Sequence, residues 1–140
     1  MSTIKSYTTI EQSRKLAEIL PLESADMYYN LGESKLPNVI YGSHDDFKCY
    51  LPCWSLAALM HLLPSEFTEK GEYSETTYKI DIRKYTLTDD VDIYQIAYGN
   101  YHWDEDGSCS WSDMISSGER EELIDVVFEM ICWLKENNKL

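Results

Sequence analysis

Basic residues are scarce in this chain: 12 Lys and Arg stand against 25 Asp and Glu, a formal net charge of −13. A surface so short of cations repels a phosphate backbone, which excludes direct nucleic-acid binding as a main role. Long apolar runs are missing too. The longest, Leu51 to Pro64, is interrupted by His61 and is too short to span a bilayer, so no membrane segment is expected. The opening MSTIKSYTTIEQ lacks the apolar stretch that a secretory signal needs, and a soluble cytoplasmic protein is expected. Cysteines number only 4, and a chain of 140 residues does not need disulfides to fold, so Cys49, Cys53, Cys109 and Cys132 are expected as reduced thiols. There is no P-loop, GxGxxG, HExxH or GxSxG, hence no expected cofactor and no reaction that the sequence specifies. With no repeat, low-complexity tract or linker, residues 1–140 are expected to form a single globular domain.

What is present is enough for a core. Apolar residues make up 44% and aromatics 13% of the chain, and a domain of this length buries roughly two thirds of the surface of its extended form. The charge therefore decorates a folded body. It is unevenly spread: residues 1–70 carry nine acidic against six basic residues (−3), and residues 71–140 carry sixteen against six (−10). Positions 89–129 alone hold twelve carboxylates and one basic residue, Arg120.

Thr8 and Thr9 precede Glu11 and Gln12 at capping-box spacing, which predicts a helix over about 9–20, stopped by Pro21. From Leu22 to Asp46 turn formers and tyrosines alternate without period, and only Asn38 to Tyr41 looks strand-like. FKCY, 47–50, suggests a short strand leading into Pro52, read as the first residue of an apolar helix running to Leu63 and forming the buried centre. Tyr78, Ile80 and Ile82 alternate with Lys79, Asp81 and Arg83, the period of a half-buried strand over 74–87. The turn Thr88-Asp89-Asp90 then predicts an antiparallel hairpin with a second strand over 91–101, whose weaker alternation implies a central position or a bulge. A last helix is predicted from Ser116 or Ser117 to residue 137, with Ser116 and Glu119 as its capping box. The expected fold is α+β: a small antiparallel sheet packed against about three helices.

Three constellations invite chemistry. Glu121, Asp125 and Glu129 succeed one another at i,i+4, where each like-charge pair costs an isolated helix about 0.2–0.5 kcal/mol. That stripe, with Trp103 and Trp111 in the preceding loop, is the candidate partner-binding face, since aromatics beside charge give large contact area at low entropic cost. Against it stands solubility alone, which acidic surfaces serve without any partner. The loop His102 to Asp113 has the spacing of a calcium loop: Asp104, Asp106, Ser108, Ser110 and Asp113 fall at ligand positions, and Gly107 at the sharp turn. His102 in place of an oxygen ligand, Asp113 in place of the longer Glu, and a preceding strand all weigh toward a plain polar turn. Cys49, Cys53, His44 and His61 lack a second closely spaced pair for zinc, and a cysteine nucleophile with His102 as its base is a drawing that almost any chain permits.

At TTIEQSRKLAEILPLESADMYY, PCWSLAALMHLLP and ELIDVVFEMICWLKENN the chain resembles small uncharacterised proteins of phages and mobile elements of gut Bacteroides and their relatives; residues 65–112 depart from that likeness. The resemblance implies a bacterial cytoplasm and an accessory role. The expected function is a non-enzymatic binding module whose acidic face, Asp89 to Glu129, engages a basic protein surface. The alternative is a small hydrolase or metal-dependent enzyme using His102, Asp104, Asp106 or Asp113. Nothing in the sequence specifies an oligomeric state.

Overall fold

The computed structural model describes residues 5–33, 35–40 and 50–140. The expected strand at FKCY and the zinc candidates Cys49 and His44 lie outside these residues, apart from Tyr50. The chain is α+β, with two antiparallel sheets and three α-helices among the described residues.

Helix α1 spans Ile10–Ile19 and is capped as its sequence predicts: Thr9 Oγ1 accepts the Gln12 N–H at 3.1 Å while Gln12 Oε1 accepts the Thr9 N–H at 3.0 Å. Leu20 turns extended because the residue before a proline is crowded out of the helical region. A 3-10 turn, Leu22–Ser24, leads to a small sheet of β1 (Met27–Tyr29), β2 (Asn38–Val39) and β3 (Leu51–Cys53) in the order β2-β1-β3.

The position of β3 corrects the expected long apolar helix. Pro52 belongs to this strand, at a sheet edge where a missing N–H is tolerated. Helix α2 is only Leu56–Leu62, and Ser55 caps it by accepting the Ala58 N–H. Ser55 is itself fixed by Asp26, which accepts both its N–H and its hydroxyl. Of α2 only Leu59 is fully buried; Ala57 and His61 face solvent, so this helix covers the core and is not its centre.

The larger sheet runs β4 (Glu66–Lys70), β5 (Glu75–Thr86), β6 (Asp92–Trp103), β7 (Cys109–Ser116), antiparallel throughout and in that spatial order. Tyr78 and Ile80 pack against the core, with Ile80 paired to Tyr98, but Ile82, paired to Ile96, is 43% exposed, so the expected buried face of β5 ends at Ile80; β6 is central, with a register shift at Tyr98/Gly99. Two strands of this sheet, β4 and β7, appear where no strand was expected.

The last helix, α3 (Leu123–Glu136), begins later than its serines suggest. Ser116 ends β7, and the Ser117 hydroxyl accepts the Ile96 N–H at 2.9 Å while the Ser117 N–H donates to the Ile96 carbonyl at 2.7 Å. Tyr94 and Arg120 then exchange two backbone bonds, so the chain stays on the sheet until position 120. Ser117 spends its hydroxyl on the sheet, and α3 starts at Glu122 with no side-chain cap. Between α3, α1 and β6 lies the core of Leu16, Trp54, Leu59, Ile96, Tyr98, Ile124, Val127, Met130, Ile131 and Leu134. No helix among the described residues is long and apolar enough to cross a membrane.

Candidate functional site

The acidic run that is continuous in sequence is divided in space. Asp89 and Asp90 form the β5–β6 turn, with Asp90 at φ 59°. Asp104, Glu105 and Asp106 form the β6–β7 turn, at the other end of the 12 residues of β6, which at about 3.4 Å per residue separates the two groups by nearly 40 Å. Asp92 opens β6 and Asp113 lies within β7, and the other five lie on and before α3. A single acidic face from Asp89 to Glu129 is therefore replaced by three separate patches.

Asp125 and Glu129 on α3, and Glu122 just before it, are already partnered. Asp125 Oδ1 receives Lys5 Nζ at 2.6 Å and Gln12 Nε2 at 2.8 Å. Burial pushes its carboxyl up, but those two hydrogen bonds and the charges of Lys5 and Arg120 outweigh it and hold the group below the usual carboxylate range. Glu129 accepts the Gly118 N–H at 2.9 Å and lies 3.5 Å from Arg120 Nη2. Glu122 accepts the Lys5 N–H at 3.2 Å. Glu121 is exposed. Asp125 and Glu129 line an open cleft of about 590 Å³ between α1 and α3, with Glu11, Gln12, Lys15, Arg120, Phe128 and Cys132. Carboxylates and cations alternate around it, and burial pushes the Cys132 thiol up, which keeps it protonated and unreactive.

At the β6–β7 hairpin the arrangement is different. Beyond Gly99 the strand β6 passes out of the core, and Tyr101 and Trp103 are 67% and 76% exposed. Alternation places Gly99, Tyr101 and Trp103 on the helix-free face, opposite Asp113, Trp111 and Cys109. The Trp111 ring lies across Gly99, where an added Cβ would come within 2.9 Å of two indole carbons. Trp111 Nε1 donates to Asp113 Oδ1 at 2.6 Å, and Tyr101 meets the indole edge-on with centroids 5.0 Å apart. Asp113 in turn receives both terminal nitrogens of Arg83, whose Nε donates to Asp81 at 2.7 Å. These bonds hold the Asp113 carboxyl below the usual range, with the Arg83 hydrogen bond the largest cause and burial opposing it. The result is a rigid aromatic shelf that ends in an uncovered Trp103, and beside it Asp104, Glu105 and Asp106 form no ion pair with Lys or Arg among the described residues.

The same geometry does not gather the residues named as calcium-loop ligands. Residues 104–108 are a tight hairpin turn, with Asp104 N–H donating to the Ser108 carbonyl at 2.8 Å and Gly107 at φ 85°. Asp106 accepts the Ser108 N–H at 2.9 Å and its hydroxyl at 2.6 Å, and these bonds lower its pKa. Asp113 is carried along β7 to Arg83, away from Asp104 and Asp106. Among the described residues no three His, Cys, Asp or Glu side chains are gathered as a metal site. His102 lies on the opposite sheet face, its Nε2 2.8 Å from Ser110 Oγ and 3.9 Å from Asp104 Oδ1. Hydroxyl and carboxylate compete for the same ring nitrogen, whereas a base oriented for nucleophilic catalysis keeps its second nitrogen for the carboxylate. Cys53 is buried beside Thr8 and Ser13, and burial pushes its thiol up.

The structure thus separates the expected partner-binding residues: Asp125 and Glu129 lie on α3, Glu121 lies before the helix begins and so is not part of a helical i,i+4 row, and Trp103 and Trp111 lie on the hairpin. Sequence reasoning missed Lys5, Arg83, Gly99 and Tyr101. Of these, Tyr101 alone carried a local signal, as it shares the period-2 face of Trp103. Comparison with family models, with curated proteins and with solved structures finds no match at any of the three levels.

Proposed function

We propose that this protein is a non-enzymatic binding or accessory module that engages a basic protein surface. The observation that carries this reading is the end of the β6–β7 hairpin, where Trp103 is 76% exposed next to three carboxylates that pair with no Lys or Arg among the described residues. A net charge of −13 steers cationic surfaces toward such a patch and turns nucleic acid away. The α3 stripe contributes less than its sequence suggests, because Lys5 and Arg120 already neutralise Asp125 and Glu129. An accessory role in a bacterial cytoplasm, implied by the resemblance to phage and mobile-element proteins, accords with a module that acts by occupying a partner.

The test is binding of a labelled lysine- and arginine-rich peptide, followed by fluorescence anisotropy at about 0.05 M and 0.5 M salt, where screening lengths differ about threefold. Binding at low salt that weakens at high salt, and that is lost in the triple variant Asp104→Asn, Glu105→Gln, Asp106→Asn, is the expected result. Equal binding by that variant at low salt removes the basis of the proposal.

A further inference from the structure

We propose that the shelf of Tyr101, Trp111 and Trp103 receives an arginine side chain of the protein partner, with the guanidinium stacked on the Trp103 indole in the field of the acidic 104–106 turn. This rests on the binding role proposed above and adds which side chain is read and by which residue. Trp103 lies two residues beyond Tyr101 on the same strand face, next to a built surface. Gly99 leaves room for the Trp111 ring, Asp113 pins that ring by its N–H, and Tyr101 packs against its edge, so the platform next to Trp103 is rigid before any partner arrives. The cross-strand neighbour of Trp103 is Cys109, too small to cover an indole. A tryptophan left wet forfeits a large burial gain, and a partner that covers it recovers that gain.

Charge selects what does the covering. An aromatic face attracts cations, and acidic neighbours exclude phosphate and carboxylate ligands while favouring cationic ones. Between the two basic side chains, the planar guanidinium both stacks on an indole and forks onto a carboxylate, whereas an ammonium offers a point charge only. The chain already holds one guanidinium beside this shelf: Arg83 forks onto Asp113, the same carboxylate that anchors Trp111.

Two peptides of equal length, one alternating glycine with arginine and the other glycine with lysine, separate this inference from simple charge attraction. Their affinities for the intact chain and for Trp103→Ala and Trp103→Phe are read by anisotropy at low salt, with thermal melts confirming that these exposed-site variants fold. The arginine peptide should bind the intact chain about threefold or more tighter than the lysine peptide. Trp103→Ala should bring the ratio close to one, Trp103→Phe should restore part of it, and neutralising residues 104–106 should weaken both peptides, the arginine peptide more. Equal affinities for the two peptides, or a ratio unchanged in Trp103→Ala, overturn the arginine inference and leave the binding module standing. No binding of either peptide overturns both. Quenching of tryptophan fluorescence by a neutral oligosaccharide, or self-association abolished by Trp103→Ala, assigns the shelf to another occupant and likewise overturns the inference.

Discussion

Lys5 Nζ lies 2.6 Å from Asp125 Oδ1, a contact between residues 120 positions apart that ties the start of the described chain to the first turn of α3. Gln12 Nε2 shares the same oxygen, so one carboxylate fastens the segment before α1, α1 itself and α3. Spacing alone treats Asp125 as a repelled member of an i,i+4 row, and neutralising that row should then leave stability level or raise it. The contact reverses the sign. Replacing Glu121, Asp125 and Glu129 together by Gln should lower stability by about 1–2 kcal/mol, a figure discounted because the side chains of Asp125 and Lys5 are still partly solvated. Most of the loss should reappear in Asp125→Asn alone. Urea titration measures both, and an unchanged or higher midpoint in the triple variant would show that like-charge repulsion outweighs these bonds.

Gly99 is occupied from two sides. A Cβ there would lie 2.2 Å from the Ser112 carbonyl oxygen, which is backbone and cannot rotate away, as well as meeting the Trp111 ring. Gly99→Ala should therefore cost about 2–3 kcal/mol, at the upper end of overpacking, and should shift Trp111 emission as the ring is displaced. A variant with native stability and native fluorescence would mean that β7 moves aside without strain.

Much of this architecture is legible locally. The Thr9–Gln12 reciprocal cap, the turn at Asp89-Asp90 and the first part of the β5 alternation, Tyr78 and Ile80, depend on neighbours within a few residues and appear as their spacing predicts, whereas the alternation fails at Ile82, which is exposed. The central position of β6 also follows from its mixed faces. What escapes is set by distant partners. In β7 Ser110, Trp111, Ser112 and Asp113 show no buried face because the strand lies beyond the helices, and backbone pairing to β6 alone makes it a strand. Ser117 is a plausible helix cap until the Ile96 N–H claims its hydroxyl. At the candidate site the exposed tryptophans are visible as residues, whereas the neutralisation of α3 by Lys5 and Arg120, and the turning of Asp113 to Arg83, rest on contacts that no local pattern encodes.

Asp113 and Asp125 both have folded pKa values below their ordinary range, so each contributes stability that is fully present above the unfolded value of about 3.9. That contribution is lost as pH falls through the lowered folded values. The stability gap between the intact chain and Asp113→Asn should be constant from about pH 7 to pH 5 and should shrink below about pH 4. Chemical denaturation at a series of pH values gives the gap directly. A gap that widens on acidification would contradict the Arg83 partnership seen at Asp113.

Calcium at millimolar concentration should leave the melting temperature unchanged beyond the effect of matched ionic strength from magnesium. A ligand bound only by the folded state raises that temperature by mass action, but Asp104 and Asp106 are bonded to Ser108 and Asp113 is committed to Arg83. A rise specific to calcium would show that the turn reopens and recruits these carboxylates.

Helix α2 offers a contrast within two residues. Leu59 is fully buried, while His61 faces solvent on the same short helix. Leu59→Ala should cost about 2–5 kcal/mol, because removing a buried isobutyl group leaves a cavity that its neighbours fill only in part. His61→Ala should change stability by less than about 0.5 kcal/mol, since it creates no cavity and improves helix propensity slightly. An apolar segment read as a buried rod predicts comparable losses at both positions, whereas a one-sided helix predicts the contrast. Denaturant midpoints of the two variants decide between them, and a small loss at Leu59 would place α2 outside the cooperative core.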